Sequence, residues 1–120
     1  PTQSSPLDGN AVVLAAAKAS ISGDRLPGLI ASAQRDLAER REHYVRRYEC
    51  VHEDDTHAVF LVNDGHWAEF GAEHELDRRE WKALRRAHRE HLKQLGGDLD
   101  CRAEFETALE VREAVIIGPA

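Results

Sequence analysis

Residues 48–62 read YECVHEDDTHAVFLV, and they decide the fold class. β-Branched and aromatic residues gather on both sides of Glu53-Asp54-Asp55. Tyr48–His52 and Thr56–Val62 therefore read as the strands of a β-hairpin with an acidic, exposed turn. A third apolar, β-branched run, Ala114-Val115-Ile116-Ile117, is stopped by Gly118-Pro119 and is expected to join the hairpin. The rest of the chain reads as helix. The expected fold is α+β and helix-dominated, with about five helices and a small antiparallel sheet made of hairpin 48–62 and strand 114–117.

Working outward from the hairpin, Asp24 can cap a helix running to about residue 46, with Pro27 tolerated in its first turn. Leu26, Leu29, Ile30, Ala33, Leu37, Tyr44 and Tyr48 form its apolar stripe, interrupted by Arg40 and Arg41, which are expected to snorkel or pair. An alanine-rich helix over about 11–20, capped by Asn10, has almost no polar face and should be largely buried. Residues 1–9 carry two prolines and no periodicity and read as a flexible arm, with 10–120 as one globular domain. Downstream, Asn63-Asp64-Gly65 should end the second strand and cap a short helix over 65–73 that carries Trp67 and Phe70. A last helix is expected over about 99–112, with Cys101, Phe105, Ala108 and Leu109 on one side.

The helix between them, residues 77–95, carries the strongest start signal. Asp77 and Glu80 form a capping box, and Leu76 and Trp81 a hydrophobic staple; Gly96-Gly97 is expected to end it. At about 100° per residue, Trp81, Leu84, His88, His91, Leu92 and Leu95 share one side. Arg78, Arg79, Lys82, Arg85, Arg86, Arg89 and Lys93 share another, within roughly 120°.

That basic face stands on an acidic chain, with 22 Asp and Glu against 16 Lys and Arg and a net charge of −6. The charges are segregated. Eight acids and no Lys or Arg lie between Glu49 and Glu75, and six acids and two arginines between Asp98 and Glu113. The basic face can thus meet a negative partner outside the protein, dock onto the protein's own acidic hairpin and last helix, or stay solvated. Solvated helices usually interleave the two signs for i,i+4 support, whereas Glu80 and Glu90 both lie off the basic arc. The expectation is a small, non-enzymatic accessory or regulatory protein. Arg78, Lys82, Arg85, Arg86, Arg89 and Lys93 would contact an acidic macromolecular partner, with a homodimer as the candidate assembly. The alternative is a regulator that binds DNA or RNA through the same face, because arginine forks suit phosphate oxygens. Helices 65–73 and 77–95 have the rough layout of a helix-turn-helix, although the intervening turn is acidic and the second helix long.

A third reading concerns histidine and cysteine. If His52 pairs with His57 across the turn, their imidazoles lie side by side with Cys50 on the same face, and zinc becomes a candidate cofactor for Cys50, His52 and His57. The spacing matches no CxxC or HExxH signature. A half-buried sheet face explains the same residues without a metal. There is no nucleophile elbow, glycine-rich phosphate loop or other catalytic arrangement, so no catalytic residue is named and an enzyme is not expected. No apolar run approaches the roughly 18 residues of a membrane span, and no signal peptide is visible. With two cysteines that make no disulfide framework, a cytoplasmic protein is the simplest expectation.

The run Arg46-Arg47-Tyr48-Glu49-Cys50-Val51-His52-Glu53-Asp54-Asp55, continuing through Ala58-Val59-Phe60-Leu61-Val62 to Gly65-His66-Trp67, resembles a domain-of-unknown-function family of halophilic archaea. So do Asp77-Arg78-Arg79-Glu80 and the closing stretch Glu104–Val115. The likeness covers about residues 24–118. It implies a cytoplasmic home in high salt, in line with 13 Arg against 3 Lys, and it brings no activity and no functional residues.

Overall fold

The computed structural model describes residues 25–118. The expected arm over 1–9, the helix over 11–20 and the cap at Asp24 lie outside the described residues. Within them the chain runs α1 (Arg25–Glu39), α2 (Arg41–Arg47), β1 (Glu49–Glu53), β2 (Ala58–Asn63), α3 (His66–Glu73), α4 (Arg78–Asp98), α5 (Arg102–Ala108) and β3 (Arg112–Ile117). The fold is α+β, with a three-stranded antiparallel sheet in the order β1-β2-β3.

The continuous apolar run of β2 makes it the central strand, and Ala58 to Val62 are all buried. β3 pairs with it from Ala58↔Ile117 to Asn63↔Arg112. The far edge of β3 is closed by side chains. The Trp67 indole N–H donates to Ala114 O at 3.0 Å, the Ile116 N–H donates to His88 Nδ1 at 2.9 Å, and Gln34 both donates to Ile116 O and accepts from Gly118 N–H. These contacts tie α1, α3 and α4 to one strand and satisfy an edge that would otherwise invite pairing. The opposite edge, β1, is exposed, bears Glu49 and Glu53, and is bulged between Cys50 and His52.

That bulge corrects the expected register. His52 faces Val59 and Glu53 faces Ala58, so His57 lies beyond the ladder. The reason is Asp54. Its Oδ1 accepts from the amides of Thr56 and His57 at 2.8 and 3.0 Å and from the Thr56 hydroxyl at 2.7 Å, a side-chain-built turn that takes His57 out of strand pairing.

Three helix boundaries also differ from expectation. The long helix breaks at Arg40 into α1 and α2. At the break Arg40 pairs with Asp36 (3.3 Å) and Glu73 (3.7 Å), while Arg41 reaches Gly118 O (2.8 Å) and Glu53 (3.1 Å). The stripe of α1 is buried as the periodicity predicts. Second, α4 runs through Gly96-Gly97 to Asp98. Gly96 serves close packing instead: a Cβ there would lie 3.0 Å from Arg102 Cα and from Phe105 Cδ2. The chain reverses at Asp100, which takes the left-handed conformation (φ 57°) that Asp tolerates. Third, this reversal shortens the last helix to α5, with Phe105 and Leu109 buried.

The capping box of α4 forms as expected. Asp77 accepts from Glu80 N–H, and Glu80 accepts from Asp77 N–H, each at 2.9 Å. The cap of α3 comes from elsewhere than Asn63 or Asp64. Gly65 takes the N-cap position with no side-chain cap of its own. Glu113 of β3, 5% exposed, accepts from Gly65 N–H at 3.1 Å and from Trp67 N–H at 2.9 Å. A carboxylate at a helix start satisfies unpaired amides and opposes the helix dipole.

Candidate functional site

α4 is the central helix. Ala83, Leu84, Ala87, His88, His91, Leu92 and Gly96 are buried, and a basic face is left outward. Arg78, Arg79 and Arg89 are exposed; Lys82, Arg85, Arg86 and Lys93 are half-buried. The cations divide into two groups. Arg85 turns inward, its Nη1 3.9 Å from Glu113 and its guanidinium 5.3 Å above the Trp81 ring. Lys93 pairs with Glu90 at 3.9 Å on its own helix. Arg78, Arg79, Lys82, Arg86 and Arg89 make no ion pair among the described residues. Arg78 beside it, together with slight desolvation and then Arg85 and Arg86, holds the Lys82 ammonium below its ordinary pKa, as expected in an uncompensated positive field.

Several acids of the protein's own acidic stretches are engaged elsewhere. Glu53 pairs with Arg41, Glu49 with Arg112, and Glu106 with Arg102. Asp54 builds the hairpin turn. Among the described residues, Glu113 is the one acid of either stretch that meets the basic face. α3, the turn through Glu75 and α4 follow one another along the chain. The inner side of α4 is spent on the core, so only the basic face is open to a groove.

The second feature is a line of histidines running inward from the hairpin. His52 Nε2 lies 3.0 Å from Asp54 Oδ2, Asp54 Oδ1 3.3 Å from His57 Nδ1, and His57 Nε2 3.3 Å from His91 Nε2. The Thr56 hydroxyl, then His52 and the Thr56 amide, hold the Asp54 carboxyl well below the usual range. Burial pushes His57 down against the pull of Asp54. Cys50 is exposed, and its thiol donates to His52 O at 3.4 Å. Among the described residues, those able to converge on a cation are His52, Asp54 and His57, with one potential ligand atom from each within 4.8 Å of the others. Asp54 stands where Cys50 was expected.

Deeper still, His88 stacks on Trp67 (centroids 4.5 Å apart) and is fully buried; its Nε2 has no partner among the described residues. Burial, then His91 and His66, hold it well below its ordinary pKa. His66 Nε2 lies 2.6 Å from the Tyr44 hydroxyl, and burial, aided by Arg40, lowers its pKa to about 4. Both imidazoles are neutral structural groups at pH 7.

Sequence reasoning missed Glu113, Asp54 as a turn builder, and the meeting of His57 with His91. The Asp54-x-Thr56 spacing is the one local signal available, since a side-chain turn recruits an amide two residues on. The other two depend on tertiary packing.

Among the described residues, no helix is long and apolar enough to cross a membrane. No curated protein and no solved structure matches the chain. A family model matches residues 5–119, and the chain belongs to that family, the domain of unknown function DUF8048.

Proposed function

We propose that this protein is a small, non-enzymatic accessory or regulatory protein that captures an acidic macromolecular partner on the basic face of α4. The observation that carries the reading is the set of five cations, Arg78, Arg79, Lys82, Arg86 and Arg89, that make no ion pair among the described residues. Positive charges crowded together repel one another. A polyanion that meets them gains contact-range pairs and removes that repulsion. Arginine predominates, and its planar fork suits carboxylate and phosphate alike. Arg85 and Lys93 are already paired with Glu113 and Glu90 and are not counted among the five.

The acidic, lysine-poor composition supports a cytoplasmic setting in halophilic archaea. In molar salt the Debye length is about 3 Å, so steering at a distance is lost and partner choice rests on direct contact. Binding should therefore depend on individual arginines rather than on net charge.

The test compares wild type with Arg86→Glu/Arg89→Glu as immobilised baits, in host lysates with and without nuclease treatment. The reading expects one partner retained by wild type and lost by the variant at an unchanged thermal midpoint. Capture that survives the reversal sinks it. The nucleic-acid alternative is separated by titrating duplex DNA and structured RNA at several salt concentrations. Phosphate binding requires log K to fall by about 0.9 per contacted phosphate of duplex per decade of salt.

A further inference from the structure

The hairpin turn brings three potential metal ligands together, two histidines and one aspartate. We infer that His52 Nε2, one carboxylate oxygen of Asp54 and His57 Nδ1 form a binding site for a divalent transition-metal ion, with zinc as the representative ion.

Metal–nitrogen and metal–oxygen distances of about 2.0–2.2 Å in a tetrahedron place neighbouring ligand atoms about 3.3 Å apart. His52 Nε2 to Asp54 Oδ2 is 3.0 Å, and Asp54 Oδ1 to His57 Nδ1 is 3.3 Å. These two contacts use the two different oxygens of Asp54; one candidate ligand atom from each of the three side chains lies within 4.8 Å of the other two, so drawing the set to tetrahedral spacing asks for movements of about 1–1.5 Å. His52 can supply them, because it stands beside the bulge on the open edge strand.

The surroundings also match a ligand set. A ligating histidine usually donates its second N–H to a fixed acceptor, which sets the tautomer and aims the ring. When His57 ligates through Nδ1, its Nε2 carries the proton and faces His91 Nε2 at 3.3 Å. The Thr56 hydroxyl lies 2.7 Å from both Asp54 Oδ1 and His57 Nδ1 and has one proton to give. A metal that takes the Nδ1 lone pair commits this proton to Asp54 and orients the carboxylate. Side-chain exposure falls from 42% at Asp54 through 22% at His52 to 10% at His57, so the ion approaches from solvent with a fourth position left for water. Two imidazoles and one carboxylate favour zinc, cobalt or nickel over calcium or magnesium.

The experiment uses the untagged full chain, stripped with chelator and dialysed. Cobalt(II) is followed by visible absorption and zinc by calorimetry. The expected result is one equivalent bound, with a visible cobalt spectrum. His52→Ala should abolish that spectrum, and Asp54→Asn, which keeps the turn acceptor, should weaken zinc affinity at least tenfold. Circular dichroism should be unchanged in both. Cys50→Ser should bind like wild type, and His91→Gln about 10–100-fold more weakly. Absence of stoichiometric binding, or wild-type affinity in His52→Ala, overturns the assignment. Loss of binding in Cys50→Ser overturns the ligand set.

Discussion

Glu113 is the point where the basic face and the fold meet, and its removal has a calculable cost. In Glu113→Ala the Trp67 amide loses its acceptor at a buried site, and the Gly65 amide loses one at a half-buried site. A hydrogen bond to a charged group contributes about 1.5–3 kcal/mol where water cannot replace it. The Gly65 amide can rehydrate, so its loss is taken as about 1 kcal/mol. The dipole of α3 adds up to about 1 kcal/mol. Arg85, 39% exposed and 3.9 Å away, returns to solvent at little cost. The expected loss is about 3–4 kcal/mol for Glu113→Ala and roughly half of that for Glu113→Gln, which keeps one acceptor oxygen. For a chain of this length the alanine variant should melt roughly 12 °C lower. Urea denaturation followed by the fluorescence of the two tryptophans, with Arg85→Ala as control, measures both variants. A loss under 1 kcal/mol in Glu113→Ala, or an equal loss in Arg85→Ala, would refute the assignment of Glu113 as the cap of α3.

Three further perturbations follow from the packing and the histidines. Gly71→Ala places a Cβ 2.5–2.8 Å from three Trp81 atoms, so despite better helix propensity it should cost about 1–2 kcal/mol in chemical denaturation; a stabilised variant would show that α3 and α4 do not approach so closely. Glu75 holds φ 56° where the amide of Leu76 returns to Gly71 O, and Glu75→Gly should gain about 0.5–1 kcal/mol, readable as a higher urea midpoint. His66 and His88 have folded pKa values depressed below the unfolded value of about 6.5, so below that pH the unfolded chain binds more protons. Their stabilising contribution is therefore complete above pH 6.5 and is lost as pH falls, for His66 through about 4. Urea midpoints measured from pH 7 to 4.5 should fall, and His66→Asn should flatten part of that slope; an unchanged slope in the variant contradicts a buried neutral His66.

The sheet was legible because β2 and β3 are apolar runs with turn residues beside them, and α4 because its cap and staple are local signals. The glycine pair misled for a physical reason. Glycine ends helices through its backbone freedom, but it also permits close contact, and only the position of α5 tells which role Gly96 plays. The break at Arg40 was equally hidden, since its ion pairs reach Glu73 and the neighbouring Arg41 reaches Glu53 and Gly118. At the candidate site, helical spacing alone identified the seven cations of the basic face. Their division into paired and unpaired groups depended on Glu113 of β3, whose partner spacing cannot assign, and on Glu90, an i,i+3 neighbour of Lys93. His57 and His91 lie 34 residues apart and meet only because the hairpin packs on α4.

The central claim is that the basic face of α4 binds an acidic partner and is not a structural surface. The most direct measurement pairs partner retention with unfolding for Arg86→Glu/Arg89→Glu. The account predicts that retention is lost while the unfolding free energy from urea titration stays within about 0.5 kcal/mol of wild type, as for surface substitutions. Retained capture, or a fold destabilised by several kcal/mol, would contradict it.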